Sequence, residues 1–359
     1  MEDESFSPYN GDLADSGNFC KFARSGAQET ESVCASVRIY LSMKPLNMLA
    51  AFLCLASLPA AADTVEKIRY ADFSNWFTRD ITESKVIGGK HKTVYEIAPA
   101  GHLAGNKPYR NRGGSPWATS NVYAKVSGIT KASNSVSPAR RGSNTVARLQ
   151  SKMEEVKVLG IINLDAAVAG TIFLGRIKEP ITSTKGPFTN MEMGIPFTKR
   201  PKAIQYDFSV TMPAVNTRTR ATGLSAKKTL QGRDQAEVYV LLQRRWEDAK
   251  GNLYAHRVGT GRERYSRSIA WNTGHRLPIH YGDITRKPFY KSYMGLLDGK
   301  KAYYAYNSKG RLVPVHEVGW DPADATPTHV LLMASTSCGE PFVITEGITL
   351  DIDNISFVY

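Results

Sequence analysis

The last segment of the chain shows the clearest alternation of hydrophobic and polar positions. Over 348–353, isoleucine or leucine alternates with threonine or aspartate, which is the period-2 pattern of a half-buried strand. The alternation then slips by one position, because the next apolar residues are Ile355, Phe357 and Tyr359. An extra residue at Asp353–Asn354, forming a β-bulge, would keep both apolar sets on one face. The segment therefore predicts a bulged C-terminal strand that completes the core.

The remaining pattern is also mostly that of short strands separated by glycine and proline. We predict a first strand within 70–77 and further strands at 93–98, 122–126, 143–149, 156–163, 171–177, 203–210, 238–242 and 329–334. Helical periodicity is confined to two short segments, 150–156 and 321–326. Many short strands with this punctuation indicate an all-β sandwich.

One N-terminal segment has the composition of an export signal. Residues 43–62 combine Lys44 with an apolar stretch and end in three alanines, as a secretory signal peptide does. The apolar stretch is too short to span a bilayer. Because a signal peptide begins its chain, we expect the true start at Met43 or Met48 and a spurious or disordered extension at 1–42. The mature protein would be exported to the periplasm, the cell surface or the medium.

The expected mature chain, 63–359, is long enough for a substantial core. We predict an N-terminal β subregion at 63–138 packed on a main sandwich domain at 139–359. Without residues 1–62, the chain keeps 42 basic and 26 acidic residues, a net charge of +16. This charge favours acidic partners or simply a solvated basic surface. Cys338 would be the sole cysteine, so the core must supply the stability without an intramolecular disulfide.

Neither nucleic acid nor a membrane is an expected partner. The chain has no nucleic-acid motif, and an exported protein rarely meets nucleic acid. No second apolar run is long enough to span a bilayer. The oligomeric state does not follow from the sequence.

Several blocks of sequence together carry a family resemblance. They include S-N-T-V-A-R-L at 143–149, G-I-P-F-T-K-R-P at 194–201 and D-I-D-N-I-S-F-V-Y at 351–359. Their order and spacing resemble the PCMD family of secreted bacterial proteins, which is associated with carbohydrate metabolism. The resemblance implies a jelly-roll-like sandwich, related in architecture to carbohydrate-binding modules, with an irregular N-terminal subregion. It implies a carbohydrate-related role and supplies no catalytic motif.

A sugar-binding site needs flat aromatic faces beside polar groups for the hydroxyls. The candidate ligand-binding residues are Arg244, Trp246, Trp271, Tyr281, Tyr303, Tyr304 and Tyr306. The alternative is that these rings fill the core, where large aromatic side chains are usually found.

A structural Ca²⁺ is the second candidate ligand, although no cofactor is required. Asp72 near the first predicted strand, with Asp351 and Asp353 on the last, offers the carboxylates that this cation prefers. The alternative is that Asp351 and Asp353 form the solvent face of an edge strand.

Catalysis finds less support in the sequence. Glycoside hydrolysis requires two carboxylates on either side of the bond, and the spacing of the acids singles out no pair. The nearby His256, His275 and His280 lack metal-ligand spacing and are expected on the surface or in loops. Cys338 is expected to be a buried or half-buried structural thiol. We therefore favour a non-catalytic glycan-binding module, with a glycoside hydrolase or a structural or adhesion protein of the envelope as alternatives.

Overall fold

The fold of this chain consists almost entirely of strands. A computed structural model describes residues 62–158, 162–183, 186–223 and 226–359. These residues contain 26 β-strands, four 3-10 helices and no α-helix, which confirms the all-β prediction. Among them, no helix has the length and apolar character needed to cross a membrane. The predicted extension at 1–42 lies outside the described residues, and so does the predicted signal peptide except for its last residue, Ala62.

The elements follow one another closely along the chain. The first fourteen strands are β1 (Val65–Lys67), β2 (Trp76–Thr82), β3 (His91–Ile97), β4 (Gly101–Leu103), β5 (Trp117–Thr119), β6 (Val122–Val126), β7 (Ile129–Ser133), β8 (Val136–Arg141), β9 (Asn144–Gln150), β10 (Lys152–Val158), β11 (Ile162–Val168), β12 (Thr171–Ile177), β13 (Met191–Met193) and β14 (Ile195–Pro196). The remaining twelve are β15 (Ala203–Thr211), β16 (Thr217–Arg220), β17 (Lys228–Gln231), β18 (Ala236–Glu247), β19 (Leu253–Tyr265), β20 (Ile269–Pro278), β21 (His280–Tyr281), β22 (Tyr304–Tyr306), β23 (Leu312–Trp320), β24 (His329–Ser335), β25 (Val343–Ile344) and β26 (Thr349–Val358). The 3-10 helices are Lys85–Ile87, Pro187–Asn190, Ser292–Met294 and Gly299–Lys301.

Two large sheets form the sandwich. The first has the order β20-β15-β26-β9-β8, with β1 beside the C-terminal end of β26. The second has the order β14-β24-β18-β19-β23-β22-β13-β12-β5, with β21 on β19. An additional pairing of β12 with β24 joins seven of these strands into a closed circuit. Small sheets formed by β2–β4, by β16, β17 and β25, and by the hairpins β6–β7 and β10–β11 surround the sandwich.

The main core lies between the two large sheets. Tyr206 and Phe208 of β15 and Ile352 of β26 face Val240 of β18 and Leu332 of β24, and all five are fully or almost fully buried. Each of these strands presents alternate residues to this layer, as the period of a strand requires. The apolar positions of the alternating pattern are therefore the ones that pack between the two sheets.

The predicted bulge in the last strand is confirmed. Between Gln205 and Asp207, β15 advances two residues while β26 advances three, and Asn354 has a φ of 53°. As a result, Ile352 and Ile355 both lie in the main core. β26 has neighbours on both sides, so it is not an edge strand, and Asp353 on its other face is buried.

The other face of the second sheet carries buried ion pairs. Arg262 binds Glu237 through two nitrogens at 2.9–3.1 Å, and Arg257 binds Glu317 with its Nε at 2.7 Å. The segment 283–303 covers this face: the Arg262 guanidinium donates to the Tyr293 carbonyl at 2.7 Å. This face of the sheet is therefore covered by the protein's own chain.

Several local predictions differ from the structure. The segment 150–156, predicted as a helix, lies mostly in β10, because hairpin pairing with β11 outweighs a short helical period. The segment 321–326 forms turns. The single strand predicted at 156–163 is divided between β10 and β11. In the first predicted strand, Tyr70 and Phe73 have positive φ and form a turn before β2. The other predicted strands are confirmed.

The division at 138 falls inside β8, which spans Val136–Arg141 and belongs to the first large sheet. Residues 61–359 form one compact unit.

Candidate functional site

Three aromatic side chains stand side by side on neighbouring strands of the second sheet. Trp246 of β18 is opposite Tyr254 of β19, and Tyr254 is opposite His316 of β23. The ring centroids are 5.9 Å apart for Trp246 and Tyr254, with planes 23° apart, and 5.8 Å apart for Tyr254 and His316. We call these three residues the aromatic patch.

Trp246 lies on the core-facing side of β18, near the end of that strand. Val240 and Leu242 point into the main core, and Arg244 and Trp246 continue on the same side of the strand. At this end of the strand, Trp246 is 40% exposed. An exposed tryptophan beside other rings is uncommon on a solvated surface and typical of a binding site.

A polar row lies next to the aromatic patch. Arg244 is opposite His256, and both contact the Asp321 carboxylate. The Arg244 Nε and Nη2 donate to Asp321 at 2.7 and 2.5 Å, and the His256 Nδ1 lies 3.1 Å from Asp321 Oδ1. The hydrogen bonds from Arg244 lower the pKa of Asp321 below its usual value, with a smaller contribution from His256. The His256 ring meets Trp246 edge-on at 5.0 Å.

A carboxylate also holds the imidazole of His316, the third ring of the patch. His316 Nδ1 lies 2.6 Å from Asp298 Oδ1, and this contact lowers the pKa of Asp298. Val318, two residues further along β23, is 51% exposed at the irregularity where β23 shifts register against β19. The aromatic patch therefore contains one imidazole that a carboxylate holds in place.

The structure brings Arg244 and Trp246 together and places the other predicted rings elsewhere. The Trp271 ring lies under the Arg141 guanidinium at 4.1 Å. Tyr281 packs against the main core and donates its hydroxyl to the Pro201 carbonyl at 2.7 Å.

The three tyrosines at 303–306 divide between two environments. Tyr303 packs against a smaller hydrophobic cluster that includes Tyr239 and Leu241, and its hydroxyl is 2.7 Å from that of Tyr239. Tyr304 is opposite Pro314, two residues before His316 on β23, so it borders the aromatic patch. Tyr306 is 38% exposed.

The three predicted calcium ligands do not share one environment. Both oxygens of Asp351 bind Arg148, at 2.8 and 2.7 Å. Burial, together with the charges of Asp207 and Asp72, raises the pKa of Asp353 to about 6. Among residues 62–158, 162–183, 186–223 and 226–359, no three His, Cys, Asp or Glu side chains form a group suited to a metal ion. The calcium site stays a prediction.

The buried acids of the second sheet are too far apart for glycoside hydrolysis. Glu317 accepts a hydrogen bond from the Gln243 side chain at 2.5 Å, and Gln243 is six residues along β18 from Glu237. Six strand residues span about 20 Å, whereas a catalytic pair lies about 5–10 Å apart. Each of these two carboxylates instead neutralises a buried arginine.

A second pair of acids lies beside a small buried cavity. Arg79 Nη2 donates to Glu96 Oε1 at 2.6 Å and to Glu179 Oε1 at 3.1 Å, so these oxygens are at most 5.7 Å apart. Burial raises the pKa of Glu96 to about 8. The cavity beside them measures about 10 Å³, room for about one water molecule. The cavity has no room for a sugar ring in this structure, and Arg79 binds both carboxylates.

Sequence reasoning missed several residues of the site. Tyr254, His256 and His316 alternate with buried residues on β19 and β23. Tyr254 and His256 lie on the strand that follows Trp246, whereas His316 is far from it in sequence. The histidines 256, 275 and 280, expected on the surface or in loops, lie in β19, β20 and β21. The sequence signal that could have indicated the site is the alternation along β18, which places Trp246 and Arg244 on one face of the strand. Cys338 is half-buried as expected, and burial raises its pKa to about 12.

Comparison with known proteins gives distant similarities of structure. No family model matches the chain, and no curated protein matches it. A structure from Bacteroides thetaiotaomicron described as a "putative glycoside hydrolase" is 15% identical, with a TM-score of 0.41, over 76% of this chain and 76% of that chain. A second one so described, from Bacteroides vulgatus, is 13% identical, with a TM-score of 0.38, over 82% of this chain and 97% of that chain. Similarities at this level do not define the function of this chain, and the PCMD resemblance stays a prediction.

Proposed function

We propose that this protein is a non-catalytic glycan-binding module of the PCMD type that binds through the aromatic patch. The observation that carries the proposal is the alignment of Trp246, Tyr254 and His316 across three hydrogen-bonded strands, with Trp246 exposed. Sugars present an apolar face to such rings while their hydroxyls contact polar neighbours. Strands fix the rings more firmly than loops do, which lowers the entropic cost of binding.

The covering of the other face of the second sheet supports a site at the aromatic patch. The segment 283–303 covers that face with backbone contacts to Arg262 and Glu317. A long sugar chain can reach the aromatic patch without displacing any part of the fold. The predicted signal peptide at 43–62 supports a role outside the cytoplasm, where polysaccharides are found.

The test is binding of the exported chain to defined oligosaccharides. We expect at least one of cellohexaose, laminarihexaose, mannohexaose and hexagalacturonate to bind, measured by isothermal titration calorimetry. Trp246→Ala should weaken that binding at least tenfold, because Trp246 is the exposed ring of the patch and tryptophan is frequent among the residues that dominate binding. Trp271→Ala is the matched control, since that tryptophan lies under Arg141. Absence of binding to all four oligosaccharides, or a larger loss in Trp271→Ala than in Trp246→Ala, would contradict the proposal.

A further inference from the structure

The polar row beside the aromatic patch continues across three strands. Arg244 on β18 is opposite His256 on β19, and His256 is opposite Gly319 on β23. This row runs parallel to the row of rings and lies two residues away from it along β18. A ligand stacked on Trp246 would therefore meet Arg244 and His256 with its edge.

Asp321 fixes both side chains of this row. Its side chain is only 1% exposed, and its backbone N–H donates to the Arg257 carbonyl at 2.9 Å. Because Asp321 accepts at the Nδ1 side, the neutral His256 ring carries its proton on Nδ1. The Nε2 atom is then a hydrogen-bond acceptor. Asp321 occupies Nε and Nη2 of Arg244, so Nη1 of this half-exposed side chain is left as a donor.

Gly319 keeps the acceptor open. A Cβ atom at this position would lie 3.3 Å from both Nε2 and Cδ2 of His256. The backbone of Gly319 is outside the left-handed region, so its conformation does not require glycine. What the glycine provides is space beside the imidazole.

We propose that Arg244 and His256 form a subsite for two adjacent hydroxyls of a sugar stacked on Trp246, reached through the space that Gly319 leaves. One hydroxyl oxygen accepts a hydrogen bond from Arg244 Nη1, and the next hydroxyl donates to His256 Nε2. A carboxylate at this place satisfies Arg244 but has no proton for His256 Nε2. The subsite therefore selects sugars that carry two adjacent free hydroxyls. This inference rests on the proposed function and adds the class of ligand.

The test uses the full exported chain with cellohexaose, laminarihexaose, mannohexaose and hexagalacturonate. We expect cellohexaose or mannohexaose, whose inner residues carry adjacent free hydroxyls, to bind more tightly than laminarihexaose, whose inner residues carry none. Gly319→Ala and His256→Phe should each weaken binding of that hexaose about tenfold. Gly339→Ala is the matched control, because its added Cβ would meet only Asp234, at 3.9 Å. Gly319→Ala adds one methyl group at a permissive backbone position, so it keeps the test valid if His256→Phe fails to fold.

Nitrogen NMR gives a second readout, in which His256→Phe assigns the signal among the seven histidines. We expect a protonated Nδ1 and an unprotonated Nε2 in the free protein, and a shift of Nε2 on addition of the bound hexaose. Wild-type affinity in Gly319→Ala and His256→Phe, together with loss in Trp246→Ala, would overturn the subsite and leave glycan binding intact. Tighter binding of laminarihexaose than of cellohexaose, mannohexaose and hexagalacturonate would overturn the hydroxyl assignment. Failure of all four probes to bind would overturn the proposed function itself.

Discussion

The buried carboxyl group of Glu96 makes the stability of this protein depend on pH in an unusual direction. Glu96 and Glu179 share the single guanidinium of Arg79, and all three side chains are almost fully buried. Burial is the main cause that raises the pKa of Glu96 to about 8, and the charge of Glu179 adds to it, against the opposing effect of Arg79. The native state therefore holds a proton at neutral pH that the unfolded chain releases.

The sign and size of the effect follow from this difference. A carboxyl group with a raised pKa in the native state stabilises the fold fully below the unfolded pKa, near 4.5. As pH rises from there to about 8, the contribution is lost at up to about 1.4 kcal/mol per pH unit. Between pH 6 and pH 8, Glu96 alone should lower the free energy of unfolding by about 2–3 kcal/mol.

The substitution Glu96→Gln removes the titrating proton with little change of shape. We expect the stability of the variant, relative to wild type, to rise steadily between pH 5 and pH 8 and to level off above. Urea denaturation followed by tryptophan fluorescence measures both proteins at each pH. Glu346→Gln, at an exposed position, should show a constant difference. Parallel pH profiles for wild type and Glu96→Gln would refute the reasoning.

Two further changes test the core and the covered face. Deletion of Asn354 removes the bulge and turns Ile355 and Phe357 out of the core, and burial of each side chain contributes about 1.5–3 kcal/mol. Urea denaturation should therefore show a severe loss of stability. Asn354→Gly is the control, because glycine accepts the positive φ and keeps the bulge. Wild-type stability of the deletion variant would contradict the bulge. Glu317→Gln leaves the buried Arg257 guanidinium without its counter-charge, so the free energy of unfolding should fall by about 3–5 kcal/mol; a loss no larger than that of the exposed control above would contradict this role.

The candidate site could be predicted only in part. Arg244 and Trp246 were within reach of the sequence, because both the aromatic type and the alternation along β18 are local properties. Their neighbours Tyr254, His316 and Asp321 come from β19, β23 and the turn that follows. Their contacts depend on strand register, and one irregularity between β19 and β23 brings Gly319 rather than Val318 opposite His256. The spacing of residues in the sequence does not predict that shift in register.

The charged groups show the same limit more strongly. Asp351 looked like a metal ligand by type and position, yet Arg148 on β9 occupies both of its oxygens. Glu96 looked like any strand residue, and its pKa depends on the burial that Arg79 and Glu179 share with it. The state of a carboxyl group is set by neighbours that are distant in the chain.

By itself, the sequence determined the all-β class, most of the strands and the bulge that keeps the last strand in the core. It could do so because alternation and its slips describe which face of a strand each residue occupies. Only the tertiary structure decided that the second face of the large sheet is covered by the segment 283–303, and that Trp246 meets the rings of Tyr254 and His256. These features arise from pairing between distant segments, and many pairings are compatible with one pattern of alternation.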